Sequence, residues 1–111
     1  MSDYWAVLDT LVTTSTIRID RPRGSRHPRF GYRYPLDYGY LQDTTGGDGS
    51  GIDIWLGTEP EQGVTGVFCT VDPHKRDAET KVLWGVSADE ALLLVDFYRP
   101  QPQAALLVMR G

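Results

Sequence analysis

The sequence predicts one mainly β domain of the α+β class, a small twisted barrel or strongly coiled sheet with a helix near each end. Three observations predict it. A length of 111 residues suits a single domain. Short apolar–polar alternations recur between breaks rich in Gly and Pro. The two segments with helical spacing lie near the ends of the chain and do not alternate with strands, which argues against a doubly wound fold.

Each element has its own signal. From Ser2 to Thr13, residues Trp5, Leu8, Leu11 and Val12 fall on one side of a helix that Ser2 or Asp3 can cap. Thr14 to Asp20 reads as a strand, with Ile17 and Ile19 alternating against Thr16 and Arg18. Pro22 and Gly24 break it, and the segment from Arg21 to Gly31 is too rich in Pro, Gly and Arg for regular structure. A short extended piece is expected around Pro35, then a Gly-rich loop from Asp43 to Gly51. Ile52 to Gly57 is a strand that sends Asp53 and Trp55 to the face opposite Ile52 and Ile54. Val64 to Asp72 and Thr80 to Val86 are further strands. Ser87 with Glu90 forms a capping box that opens a helix running to about Tyr98, ended by Pro100 and Pro102. Ala105 to Arg110 is a last strand.

Composition narrows the function classes. The formal charge is -4, which argues against a general nucleic-acid binder. Six of the eleven Lys and Arg residues nevertheless fall between Arg18 and Arg33. Cys69 is the only cysteine, so no intrachain disulfide and no cysteine-based zinc site is expected, and its apolar strand suggests a small core residue. No apolar run approaches the ~20 residues that span a bilayer, and Met1-Ser2-Asp3 opens no signal peptide. The expectation is a cytoplasmic protein.

The chemistry concentrates in Asp48-Gly49-Ser50-Gly51-Ile52-Asp53, where two carboxylates flank a loop-to-strand junction. Asp72, Asp77, Glu79 and Lys81 follow. Carboxylates from several segments, if gathered, suit Mg²⁺, which takes oxygen ligands. The arginine run fits a solvated basic loop, a small-anion site or an RNA contact aided by Phe30, Tyr32, Tyr34, Tyr38 and Tyr40. Other motifs fail. The acidic spacing is not that of an EF-hand, Gly51 is followed by Ile52 where a P-loop needs Lys, and Gly49-Ser50-Gly51 lacks the spacing of a nucleophile elbow.

Taken together, these segments resemble the soluble inorganic pyrophosphatases of family I. That family carries a Tyr-Pro-x-Asn-Tyr-Gly-Tyr turn, then Asp-Gly-Asp-Pro-x-Asp, then an Asp, a second acid and a Lys. Here the segments read Tyr34-Pro35-Leu36-Asp37-Tyr38-Gly39-Tyr40, Asp48-Gly49-Ser50-Gly51-Ile52-Asp53, and Asp72 with Asp77 or Glu79 before Lys81. Asp20-Arg21-Pro22-Arg23-Gly24-Ser25 and Phe97-Tyr98-Arg99 are similar to its entry and its last helix. The resemblance implies a five-stranded, OB-like barrel with both helices outside, and hydrolysis of diphosphate with Mg²⁺. It implies metal on Asp48, Asp53, Asp72 and Asp77 or Glu79, catalytic roles for Asp48, Asp53 and Tyr38, and phosphate binding by Lys81, Tyr98 and Arg99. Arg26, Arg29 or Arg33 would replace missing cations. It also implies a homo-oligomer, trimer or hexamer. The chain departs from the pattern at Ser50 and Gly51, where the family has Asp and Pro, and at Arg26-His27-Pro28-Arg29-Phe30, where its Lys-x-Glu strand is missing. A re-purposed member that binds a phosphorylated metabolite or nucleotide is the alternative, and an RNA-binding OB-type module a third.

Overall fold

One six-stranded sheet organises the chain, in the order β1-β2-β3-β5-β4-β6. The computed structural model describes residues 3–111. Its elements are α1 (Tyr4–Thr13), β1 (Ile17–Arg21), β2 (Asp37–Leu41), β3 (Ile52–Leu56), β4 (Val64–Asp72), β5 (Asp77–Trp84), α2 (Ala88–Tyr98) and β6 (Ala104–Met109), with a short 3-10 turn at Pro60–Gln62. All pairings are antiparallel except β3 with β5. The chain leaves β3, passes beyond the position of β5 to form β4, and returns through a tight hairpin to fill the gap. Asp72 pairs with Asp77 at the mouth of that hairpin.

The α+β class and the dominance of strands are as expected, but the barrel is not. β1 and β6 are free edges of an open sheet with six strands rather than five. Alternation along the strands explains the difference. Ile54 and Val82 point to one face, where they join Leu41, Val64 and Val12 of α1, with Trp5, Leu8 and Leu11 packed alongside. Trp55 and Leu83 point to the other, where they join Phe68, Val86 and Ala91, Leu94 and Tyr98 of α2. Each face carries a helix over its apolar centre, so the sheet buries apolar surface on both sides without curling on itself.

Local chemistry sets the element ends. Asp3 caps α1, accepting from the Trp5 N–H at 2.8 Å; Ser2 lies outside the described residues. β1 begins at Ile17, three residues later than expected. Thr14 and Ser15 instead finish the helix, and their hydroxyls donate to Thr10 and Leu11 carbonyls at 2.7 and 2.6 Å. The Ser87–Glu90 capping box forms in both directions. β5 starts earlier than expected because its ladder with β4 reaches Asp77, and it stops at Gly85, whose φ is 62°. The extended piece lies at Asp37–Leu41, after Pro35.

Cys69 is exposed and not a core residue. It lies on the α1 face with Val71 and Leu106, which are also exposed. A ten-residue helix is about 15 Å long and leaves that end of the sheet uncovered. Among the described residues no helix is long and apolar enough to cross a membrane.

Candidate functional site

The α2 face carries the densest group of ionisable side chains. Period-two alternation sends Asp53 and Trp55 of β3, Glu79 and Lys81 of β5, and Tyr38 of β2 to that face. The registers then bring them together. Lys81 Nζ donates to Tyr38 Oη at 2.8 Å and to Asp53 Oδ2 at 2.8 Å, and forms an ion pair with Glu79 Oε2 at 3.0 Å. An ammonium has three N–H donors; two are hydrogen-bonded here, and the Glu79 carboxylate lies beside them. The Lys81 side chain is 8% exposed, against 24% for Asp53 and 13% for Glu79. Such burial is tolerable because the ammonium has two hydrogen-bond acceptors and two carboxylate counter-charges.

Asp48 joins this group from the Gly-rich loop. Gly47 packs against β5 so closely that a Cβ there would overlap the Ala78 carbonyl. Only glycine permits this approach, and it lays the Asp48 carboxyl against that of Glu79. The Ser50 N–H donates to Asp48 Oδ1 at 2.9 Å. The two carboxyls are driven apart electrostatically. That N–H outweighs burial and holds Asp48 below the usual carboxylate range. Burial pushes Glu79 up, Asp53 and Asp48 push it further, and Lys81 only partly opposes them. Burial alone would lower the Lys81 amine, but Tyr38, Tyr98 and Asp53 overcome it, so its pKa is raised and it stays charged. Tyr38 is raised well above the usual phenol value by burial, so its hydroxyl keeps its proton. That oxygen accepts from Lys81 and its O–H remains to donate.

Tyr98 is buried on α2, where its hydroxyl accepts from Trp55 Nε1 at 3.0 Å. Burial raises its pKa, and the nearby Lys81 only moderates the rise. Tyr98 therefore supports the cluster from below, through the Trp55 ring that packs on Tyr38 at 4.5 Å between centroids.

The remaining predicted residues stand apart. Asp72 and Asp77 lie on the same face, but at the hairpin mouth. Across from Glu79 stands Thr70, and β5 separates β3 from β4, so Asp72 does not approach Asp53. Asp72 Oδ1 instead accepts from the His74 and Lys75 N–H groups at 2.9 and 3.2 Å and closes the turn. Arg99 is exposed and pairs with Asp96 one turn back at 3.2 Å. Arg26 is exposed in the 22–33 loop, where it donates to the Gly31 carbonyl. Among the described residues neither arginine has an ion pair or hydrogen bond to the Lys81 group. Of the two acids left open by the sequence, Glu79 is the one that meets Lys81. The pair sits two residues apart on one strand, a spacing visible in the sequence.

Among the described residues, no three His, Cys, Asp or Glu side chains are already arranged around a common point fit for a metal ion. The nearest set is Asp48, Asp53 and Glu79, with Lys81 between the last two. In kind these donors suit Mg²⁺: all are carboxylate oxygens, and three formal negative charges face one positive charge. Asp53 and Glu79 would have to exchange the ammonium for the ion.

No family model, curated protein or solved structure matches the chain. The functional reading therefore rests on this geometry and on the motifs that carry the resemblance.

Proposed function

We propose that the protein hydrolyses diphosphate to two phosphates, with Mg²⁺ held by Asp48, Asp53 and Glu79. The observation that carries the reading is the meeting of Asp53 and Glu79 on one buried ammonium, with Asp48 laid against Glu79. When bound, Mg²⁺ would neutralise phosphate oxygens and lower the pKa of a bound water. The other steps belong to the side chains. Lys81, released from a carboxylate, donates to a phosphate oxygen. The Tyr38 O–H donates to the same group. Asp48 stays ionised and accepts a proton from the attacking water, while the leaving phosphate departs as an anion neutralised by Lys81. Water attacks one phosphorus, the bond to the bridging oxygen breaks, and that oxygen leaves with the electron pair.

Phosphate release from diphosphate, followed colorimetrically with and without Mg²⁺, tests the reading. Release that needs Mg²⁺ and falls at least a hundredfold in Asp53→Asn is expected, on the scale of losing one electrostatic group at a reacting centre, about 3 kcal/mol. Background release from folded wild-type protein overturns it.

A further inference from the structure

We infer that a second cavity, distinct from the carboxylate group, binds an adenine nucleotide. It measures about 510 Å³, within the range of small-molecule sites, and lies between the 22–33 loop, the β4–β5 turn and the segment after α2. One wall is aromatic. The His27 ring stacks on Phe30 at 5.0 Å and 28°, and Tyr32 lies 4.8 Å from His27. Phe30 is 64% exposed at the surface, with His27 stacked on its ring and the Arg29 guanidinium 5.4 Å from the ring centre, so an entering base competes with a movable arginine for that ring. Such platforms take the face of a base, whatever its identity.

His27 serves as a neutral plane in this wall. Its Nδ1 accepts from the Arg29 and Phe30 N–H groups, both at 3.1 Å, which puts the ring proton on Nε2. Burial, with Arg21, Lys75 and Arg29 nearby, lowers its pKa in the same sense.

Two further features narrow the ligand. Gln101 Nε2 donates to the Phe97 carbonyl at 2.8 Å, and Gln103 Nε2 donates to Gln101 Oε1 at 2.9 Å. This pair of hydrogen bonds orients the Gln103 amide, which lines the cavity and whose Oε1 accepts no hydrogen bond among the described residues; a free amide oxygen there suits an exocyclic amino group such as adenine N6. Lys75, His74 and the Asp72 carboxylate line the same cavity; Asp72 Oδ1 is held by the His74 and Lys75 N–H groups, and the Lys75 ammonium has no ion pair among the described residues, so it is the cation available to a phosphate. The cavity uses none of the residues assigned to diphosphate hydrolysis, and the inference goes beyond that reading.

Calorimetric titration in EDTA tests it independently of hydrolysis, using ADP, adenosine, inorganic diphosphate and a single-stranded oligoadenylate. Saturable ADP binding is expected, weakened about tenfold by Phe30→Ala, as for the loss of one stacking ring. Lys75→Ala is expected to weaken ADP about threefold and leave adenosine unchanged. Because Phe30 and Lys75 are exposed, both variants keep the fold. Absence of ADP binding, ADP affinity unchanged in Phe30→Ala, equal competition by diphosphate alone, or tighter binding of the oligonucleotide than of ADP would each overturn the inference.

Discussion

Lys81 and Asp53 stand 2.8 Å apart on adjacent parallel strands, the ammonium almost wholly buried. The same ammonium reaches Glu79, so one cation separates two carboxylates that would otherwise repel in a site of low polarity.

Lys81→Met should therefore destabilise the protein by about 1–3 kcal/mol, because it leaves the half-buried Asp53 and Glu79 carboxylates without a counter-charge. Urea unfolding at neutral pH reads this directly. A loss below about 1 kcal/mol would mean that water already screens the pair.

The Trp55–Tyr98 hydrogen bond ties β3 to α2 beneath the cluster. Tyr98→Phe keeps the ring and leaves a buried indole N–H without a partner, at a cost of about 1–3 kcal/mol. Trp55→Phe in the same background should then cost little through hydrogen bonding, so a double-mutant cycle with Trp55→Phe isolates the bond from the packing.

Glu79 and Asp48 should titrate on opposite sides of ordinary carboxyls. The Glu79 pKa is raised in the folded state, chiefly by burial. Its contribution is fully present below its unfolded value of about 4.5 and is lost as pH rises through the folded value, because there the native state holds the extra proton. Asp48 is lowered, so its contribution is present above about 3.8 and is lost as pH falls through its folded value. Carbon-detected NMR of the two carboxyls measures both. Relative to Glu79→Gln, the wild-type protein should lose stability over the upper window.

Gly47→Ala should lift the loop off β5, since the new methyl meets the Ala78 carbonyl. The Asp48 carboxyl then leaves Glu79, whose pKa falls back towards its ordinary value, and Mg²⁺-dependent phosphate release drops with it. The sheet itself is untouched, so the far-ultraviolet circular dichroism spectrum should not change.

Much of the fold was legible in local chemistry. The Ser87–Glu90 box, the Trp5, Leu8, Leu11 and Val12 stripe and the strand from Val64 to Asp72 each depend on neighbours in the chain, and each appears as read. The candidate site was legible in part. Period two alone puts Asp53 opposite Ile54; the strand expected from Thr80 leaves Glu79 outside, and only the longer β5 sets it with Lys81 on one face. What misled was strand order. Asp72 reads as a partner for Asp53 only if β3 and β4 are neighbours, and the hairpin inserts β5 between them.

Alternation, caps and breakers are short-range preferences, so the amino-acid order by itself determined the elements, the face each side chain takes and the gathering of acids near one lysine in the chain. Only the tertiary structure decided that the sheet stays open between two helices, that Glu79 rather than Asp77 meets Lys81, and that Arg26 and Arg99 stay in solvent. Those outcomes depend on which strands pair and in what register, and long-range pairing is chosen by the burial of whole faces rather than by any one segment.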